Sequence, residues 1–194
     1  MLERTQTLAT LLDDTDDRLI VTGLGNATYD VAFITEHHPR VFTMDGVMGA
    51  AASIGLGLAL ARPEREVLVI TGDGELLMNV GALSTIAVQN PNNLRIIVLD
   101  NGHYGLTGDQ MTATGSVTDL AATARGLGIK RTITVRSQAD IPAARELILT
   151  PGDTAFILVR IAQGPGAKVV LNRDGTRLRD TFRDYVMGRG HAPE

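Results

Sequence analysis

Two short segments carry the side chains best placed for chemistry. Gly72-Asp73-Gly74 sets a carboxylate between two glycines directly after the apolar run 66–71 (EVLVIT). Asp100-Asn101-Gly102-His103-Tyr104-Gly105 follows a second apolar run, 94–99 (LRIIVL), with 25 residues (75–99) between Gly74 and Asp100. Both runs read as buried strands, and an open parallel sheet binds ligands beyond the carboxyl ends of its strands. Glycines beside Asp73 let the backbone turn sharply and approach a ligand closely. A helix starting there points free N–H groups and a positive dipole end at the same place, the arrangement that holds phosphate. If the second strand lies beside the first, the Asp73 carboxylate, the Asn101 amide oxygen and a backbone carbonyl are hard oxygen ligands. With two phosphate oxygens and a water they complete the octahedron that Mg²⁺ demands. Each segment alone has a plainer reading, since Gly-Asp-Gly is a common turn and Asn-Gly marks hairpin turns.

Positioning those segments requires a scaffold of alternating strands and helices. Strands are expected over 18–22, 41–44, 66–71, 94–99, 132–135 and 155–161. Helical spacing covers 28–37, ended by Pro39, then 47–61, 76–89, 118–127, 141–149 and 176–187. The strands are near-continuous β-branched runs, which marks strands covered on both faces. The expected fold is therefore α/β: a doubly wound, mainly parallel sheet with helices on both faces. One domain is expected over residues 1–194, with its core over 15–165 and a tail, 166–194, that ends in a helix.

The 194 residues include 21 glycines and 4% aromatics, which suits many tight strand-to-helix turns. A net charge of −4 without a basic run argues against nucleic acid as a partner. No cysteine is present, which removes disulfides, iron–sulfur clusters and thiolate zinc sites. The N-terminus has no signal-peptide core, and the small-apolar stretch 47–61 is too short and glycine-rich to span a bilayer, so a cytoplasmic location is expected. The acidic run Asp13, Asp14, Asp16 and Asp17 reads as a solvated loop. His37-His38 reads as a solvated helix end without a third metal ligand. Gly23-Leu24-Gly25-Asn26-Ala27-Thr28 after the first strand, with Asp45 further on, leaves a dinucleotide-binding reading open for the N-terminal part, although its third glycine is missing.

The order Gly72-Asp73-Gly74, helix, strand, Asp100-Asn101 resembles the thiamine-diphosphate motif, GDG followed by NN, with Asp in place of the first Asn. Asp45-Gly46-Val47-Met48-Gly49 resembles the G-S-M-G turn of the same domain, with Val47 where the pattern has Ser. The resemblance implies thiamine diphosphate and Mg²⁺ as cofactors. The metal ligands would be the Asp73 carboxylate, the Asn101 side-chain oxygen and the main-chain oxygen of His103. Gly46 would accept from the cofactor's amino group, and Met48 would wedge the cofactor into a bent shape. Val47, Gly72, Gly74, Glu75, Tyr104, Gly105 and Leu106 would line the same site, with Asn26 helping to hold the diphosphate. Glu75 stands where many relatives have a small residue. A carboxylate aimed at a diphosphate would repel it, so Glu75 is expected to point outward.

Tyr104-Gly105-Leu106-Thr107-Gly108-Asp109-Gln110-Met111-Thr112 resembles the Y-x-x-T-G-x-Q-x-T stretch of the sulfopyruvate and phosphonopyruvate decarboxylases. That likeness covers about residues 20–163. It implies release of CO₂ from a small 2-oxo acid to give an aldehyde, with Thr107 near the substrate and Leu106 and Gln110 as pocket neighbours. Some members of that branch divide the enzyme between two chains. This sequence resembles the β chain, and a separate α subunit would carry the pyrimidine-binding domain and its Glu. The resemblance implies an assembly of at least two α and two β chains. Two alternatives stay open: a carboligase subunit akin to acetolactate synthase, and a non-catalytic cofactor-binding module.

Overall fold

The computed structural model describes residues 1–189. Six parallel strands form the central sheet: β1 (Leu19–Thr22), β2 (Val41–Thr43), β3 (Val67–Gly72), β4 (Leu94–Asp100), β7 (Arg131–Val135) and β8 (Ala155–Arg160). Their order is β2-β1-β3-β4-β8-β7. A small antiparallel pair, β5 (His103–Tyr104) and β6 (Gln110–Met111), stands apart from it. β3 and β4 are neighbours in register, with Gly72 opposite Leu99, so the two chemistry-bearing segments leave adjacent strands at the same end.

Helices cover both faces, as the continuous apolar runs require. On one side lie α1 (Arg4–Leu12), α2 (Asn26–Ile34) and α7 (Ile141–Leu149), packing Leu8, Val31 and Ile148 against Ile20, Ile70 and Ile97. On the other side, α3 (Ala51–Ala61), α5 (Ala82–Gln89) and α6 (Leu120–Gly126) pack Leu56, Ile86 and Leu120 against Val69, Ile96 and Leu158. α8 (Gly175–Val186) closes that side near β2, where Phe182 meets Phe42 at 5.4 Å between rings. Arg95, near the start of β4, is fully buried. Its guanidinium donates to the main-chain oxygens of Leu147, Asn92 and Thr150, which satisfies a charge that would otherwise oppose burial.

Several element bounds differ from expectation for identifiable reasons. The helix expected from residue 47 begins at Ala51, because Gly46 and Gly49 take φ of 93° and 81° and keep the preceding turn out of the helix. α2 starts earlier and ends at Ile34, where Glu36 and His37 adopt left-handed φ of 51° and 57° ahead of Pro39. The single helix expected over 76–89 is two, α4 (Asp73–Leu77) and α5. The chain between them stays coiled through tighter bonds such as Asn79 N–H to Leu76 O at 3.0 Å and Ala82 N–H to Asn79 O at 3.0 Å. The acidic run is the solvated loop expected, its exposed carboxylates reaching Arg145 from Asp14 at 2.9 Å and Arg40 from Asp16 at 3.1 Å. Among the described residues no helix is long and apolar enough to cross a membrane.

Candidate functional site

From β1 the chain passes to β2 on one side and then to β3 on the other, so the strand order reverses at β1. An open α/β sheet binds ligands at such a reversal, and a cleft lies there. Its walls come from 24–27 after β1, from Met48 before α3, from 72–75 after β3, and from Asn101 and 103–107 after β4. Of the residues singled out in the sequence, Asn26, Met48, Gly72, Asp73, Gly74, Glu75, Asn101, His103, Tyr104, Gly105, Leu106 and Thr107 all line it. Gly46 and Val47 do not line it, although their turn leads directly into Met48.

Asp73 is the first residue of α4 and is 2% exposed. Its Oδ2 accepts from Thr112 Oγ1 at 2.6 Å and Thr114 Oγ1 at 2.8 Å. Burial pushes its carboxyl up from the ordinary value; the two hydroxyls oppose that shift, and the charge of nearby Asp100 adds to it. Asp100 is also buried and pairs with Arg160, while its Oδ1 accepts from Gly102 N–H at 3.0 Å. The Asn101 side-chain oxygen closes its own turn by accepting from His103 N–H at 3.0 Å. A carbonyl oxygen has a second lone pair, so that oxygen can still serve a cation. Tyr104 packs over Gly74, where a Cβ would lie 2.4 Å from the ring; only glycine permits that approach. Thr107 and Gln110 bond to each other, Oγ1 to Oε1 at 2.8 Å and Nε2 to Thr107 O at 2.9 Å.

Glu75 does not point outward. It is 4% exposed and folds back beneath the cleft, accepting from the Thr71 hydroxyl and from Ala51 N–H at 3.4 Å. Burial raises its carboxyl from the ordinary value against these hydrogen bonds. The space it fills is left by Gly23, whose Cβ would come within 1.5 Å of Glu75 Oε2. Glu75 thus ties the β3–α4 turn to the turn that carries Met48, helped by Asn79, whose amide donates to Gly49 O at 3.0 Å. Met48 itself is 38% exposed at the cleft mouth. The Asn26 amide donates to Gly164 O at 3.2 Å, so its side chain is already engaged by the segment that follows β8. Asp45, the residue required by the dinucleotide reading, is held by Arg173 at 2.8 Å.

A family model, the thiamine pyrophosphate enzyme C-terminal TPP-binding domain, matches residues 23–161. The chain belongs to this family. It is 37% identical over 188 residues to the sulfopyruvate decarboxylase subunit beta of Methanothermobacter thermautotrophicus, covering 97% of each chain. It is 37% identical over 170 residues to the phosphonopyruvate decarboxylase of Streptomyces viridochromogenes, covering 87% of this chain and 41% of that protein. Its fold matches the 2-oxoglutarate:ferredoxin oxidoreductase of Magnetococcus marinus with a TM-score of 0.66 at 18% identity, over 89% of this chain and 65% of that one.

The cleft of this family member has the chemistry its cofactor needs. It contains two buried carboxylates, Asp73 and Glu75, and its one arginine, Arg4, is paired with Asp30. Among the described residues no ion pair reaches Asp73, so a buried carboxylate faces a cleft with no protein cation to offset it. A divalent cation supplies that charge and reverses the field a diphosphate would otherwise meet. The first residues of α2 and α4 line the same cleft, and neither helix has a side-chain cap. Their orphan N–H groups remain for an anion. Thiamine diphosphate with its metal fits this donor set. Thr112 and Thr114 are the site residues the sequence reading left without a role. Thr112 closes the Y-x-x-T-G-x-Q-x-T stretch, and the Thr-Ala-Thr alternation that aims both hydroxyls at Asp73 was the available signal.

Proposed function

We propose that this chain is the cofactor-holding β subunit of a two-chain decarboxylase acting on a small 2-oxo acid with an acidic tail. 3-Sulfopyruvate is the first candidate and 3-phosphonopyruvate the second. The observation that carries this reading is the match over 97% of both chains to a protein named as a β subunit of sulfopyruvate decarboxylase. The cleft supports it from the other direction. Its volume is about 100 Å³, whereas closed small-molecule sites run to roughly 300–1,000 Å³. Leu106 stands 52% exposed at its rim and Met48 38%. A cleft this small and open supports a site completed by a second chain.

Thiamine diphosphate, when bound, supplies the electron sink for loss of CO₂ from the 2-oxo acid. This chain acts as a single diphosphate-binding unit whose residues bind and orient. Asp73, the side-chain oxygen of Asn101 and the main-chain oxygen of His103 would hold Mg²⁺. Gly72, Gly74 and the amides around Glu75 accommodate the diphosphate, with Asn26 beside it. Gly46 would offer its carbonyl to the cofactor's amino group, Val47 would shape that turn, and Met48 would support the bound cofactor. Tyr104, Gly105 and Leu106 wall the cleft against water, and Thr107 presents a hydroxyl on the substrate side. The partner α subunit would contribute the glutamate that holds the cofactor's pyrimidine ring, and two of each chain would form the smallest competent assembly.

The test is to mix the purified chain with its partner and measure CO₂ release from 3-sulfopyruvate and 3-phosphonopyruvate against each chain alone. Activity only in the mixture is expected. Robust decarboxylation by this chain alone refutes the divided site. Acyloin formation in place of aldehyde would favour a carboligase, and cofactor binding without turnover in the mixture would favour a non-catalytic module.

A further inference from the structure

The turn that carries Met48 has little to hold it from within. Residues 44–50 join β2 to α3 as irregular chain, and among the described residues no backbone–backbone hydrogen bond falls on 45–49. α3 begins behind this turn with Ala50 at its cap position and no side-chain cap of its own, which leaves its first N–H groups without an acceptor from their own segment. The turn is tethered from outside instead. At one end Asp45 pairs with Arg173 at 2.8 Å. At the other end the Glu75 carboxylate accepts from Ala51 N–H at 3.4 Å, with a weaker contribution from Gly49 N–H, and is itself steadied by the Thr71 hydroxyl. A carboxylate placed there also meets the positive end of α3. Asn79 holds the other side of the Gly49 peptide, donating to Gly49 O at 3.0 Å. Water competes for two of these tethers, because Arg173 is 74% exposed and Asn79 is exposed. Glu75 is 4% exposed, so its hold is the one that solvent does not weaken.

Resting on the cofactor role proposed for Met48 above, we infer that Glu75 is a positioning residue that caps α3 from α4 and thereby fixes Met48 at the cleft. It joins the wall after β3, which would take the diphosphate, to the turn that would shape the cofactor rings. Its action runs through Met48 and requires no contact of its own with cofactor or substrate.

The experiment has two readings. The first is amide hydrogen exchange by NMR on the full chain without cofactor. Glu75→Ser should speed exchange at Gly49 and Ala51 by about three- to tenfold, the equivalent of one hydrogen bond lost, and leave β4 amides such as Ile96 unchanged. Glu75→Gln keeps an acceptor oxygen and should recover most of that protection. Wild type itself should exchange more slowly at Ala51 than at Val47 and Met48, whose N–H groups have no hydrogen-bond partner among the described residues, and this comparison covers the case in which Glu75→Ser does not fold. Equal exchange at the three positions in wild type, or exchange at Ala51 that ignores loss of the carboxylate, overturns the inference. The second reading is turnover after reconstitution with the partner chain. Glu75→Ser should lower kcat by about tenfold or more, with KM for the 2-oxo acid little changed. In a Met48→Ala background the same substitution should cost little further turnover, because its effect runs through Met48. Costs of the two substitutions that multiply independently overturn the role of Glu75. Wild type without turnover in the mixture refutes the decarboxylase reading itself, which is a different result from independent costs in an active enzyme.

Discussion

The packing of Glu75 against Gly23 yields a prediction that can be worked from distances. In Gly23→Ala the new Cβ would lie 1.5 Å from Glu75 Oε2, 2.1 Å from Cδ and 2.6 Å from Oε1. No rotation of a methyl group relieves that, so the carboxylate must leave its place. Leaving breaks its bonds from the Thr71 hydroxyl and Ala51 N–H. Overpacking costs about 1–3 kcal/mol, and buried donors left unpaired cost about 1–3 kcal/mol. A total of about 3 kcal/mol corresponds to a fall in Tm of roughly 6–12 °C for a chain of this size. Glu75→Ser removes the clashing group. By itself it exchanges two hydrogen bonds for relief of a carboxylate that burial disfavours, a change of about 1 kcal/mol or less. Gly23→Ala/Glu75→Ser should therefore be more stable than Gly23→Ala alone, with a coupling of about 2–3 kcal/mol. Urea and thermal unfolding of the four proteins measure it. Strict additivity, or a Gly23→Ala protein as stable as wild type, would show that Glu75 does not occupy the space above Gly23.

Glu75→Gln tests the same carboxylate by pH. Its folded-state proton affinity is raised by burial, so its contribution to stability is fullest below the ordinary glutamate pKa and is lost as pH rises through the raised value. In the metal-free chain the variant should gain stability relative to wild type as pH climbs from 4 to 8, and parallel Tm curves would refute this. Asp73→Ala removes the charged metal ligand of the proposed site. Cofactor binding measured by calorimetry should cease to respond to Mg²⁺, and the reconstituted enzyme should fall to background. Met48→Ala should cost reconstituted turnover about 10²-fold through misplacement of the cofactor rings. Because Met48 is 38% exposed, its Tm should barely move; a large Tm loss with normal turnover would assign it to packing instead.

The parts of this protein that were legible in the sequence are those that local pattern dictates. Near-continuous β-branched runs specify strands covered on both faces, and 94–99 and 155–161 are realised within a residue as β4 and β8. Glycines around Asp73 announce a turn that a ligand can approach, and the turn lines the cleft. What escaped depends on contacts between distant positions. Glu75 turns inward because of a missing side chain at Gly23, on a different strand's loop. Thr112 reaches Asp73 across 39 residues through a hairpin of two-residue strands, too short to show alternation. The start of α3 was misplaced because Val47 and Met48 continue its apolar character, while the positive φ of Gly46 and Gly49 leaves no trace in hydropathy.

The charge pattern of the cleft bears on why a second chain would be needed. Segments following three adjacent strands wall the cleft, and the one after β3 brings two carboxylates, Asp73 and Glu75, to it. Arg4 is committed to Asp30 and to the main-chain oxygens of Gly164 and Pro165, and Arg160 to Asp100. A diphosphate adds negative charge, and a 2-oxo acid with a sulfonate or phosphonate tail adds more. One divalent cation offsets part of that sum, and orphan amides of α2 and α4 offset part of the rest. The tail's countercharge is then missing from this wall among the described residues. Arginine is the usual partner for such oxyanions because its fork matches them with two parallel bonds. Under the two-chain reading, that arginine or a lysine belongs to the α subunit, and substrate recognition is divided as the cofactor site is. A chain that binds diphosphate and metal but leaves the acidic tail to its partner gains no affinity for the substrate by itself. Equilibrium binding of 3-sulfopyruvate should therefore appear only when both chains are present, even in the absence of turnover.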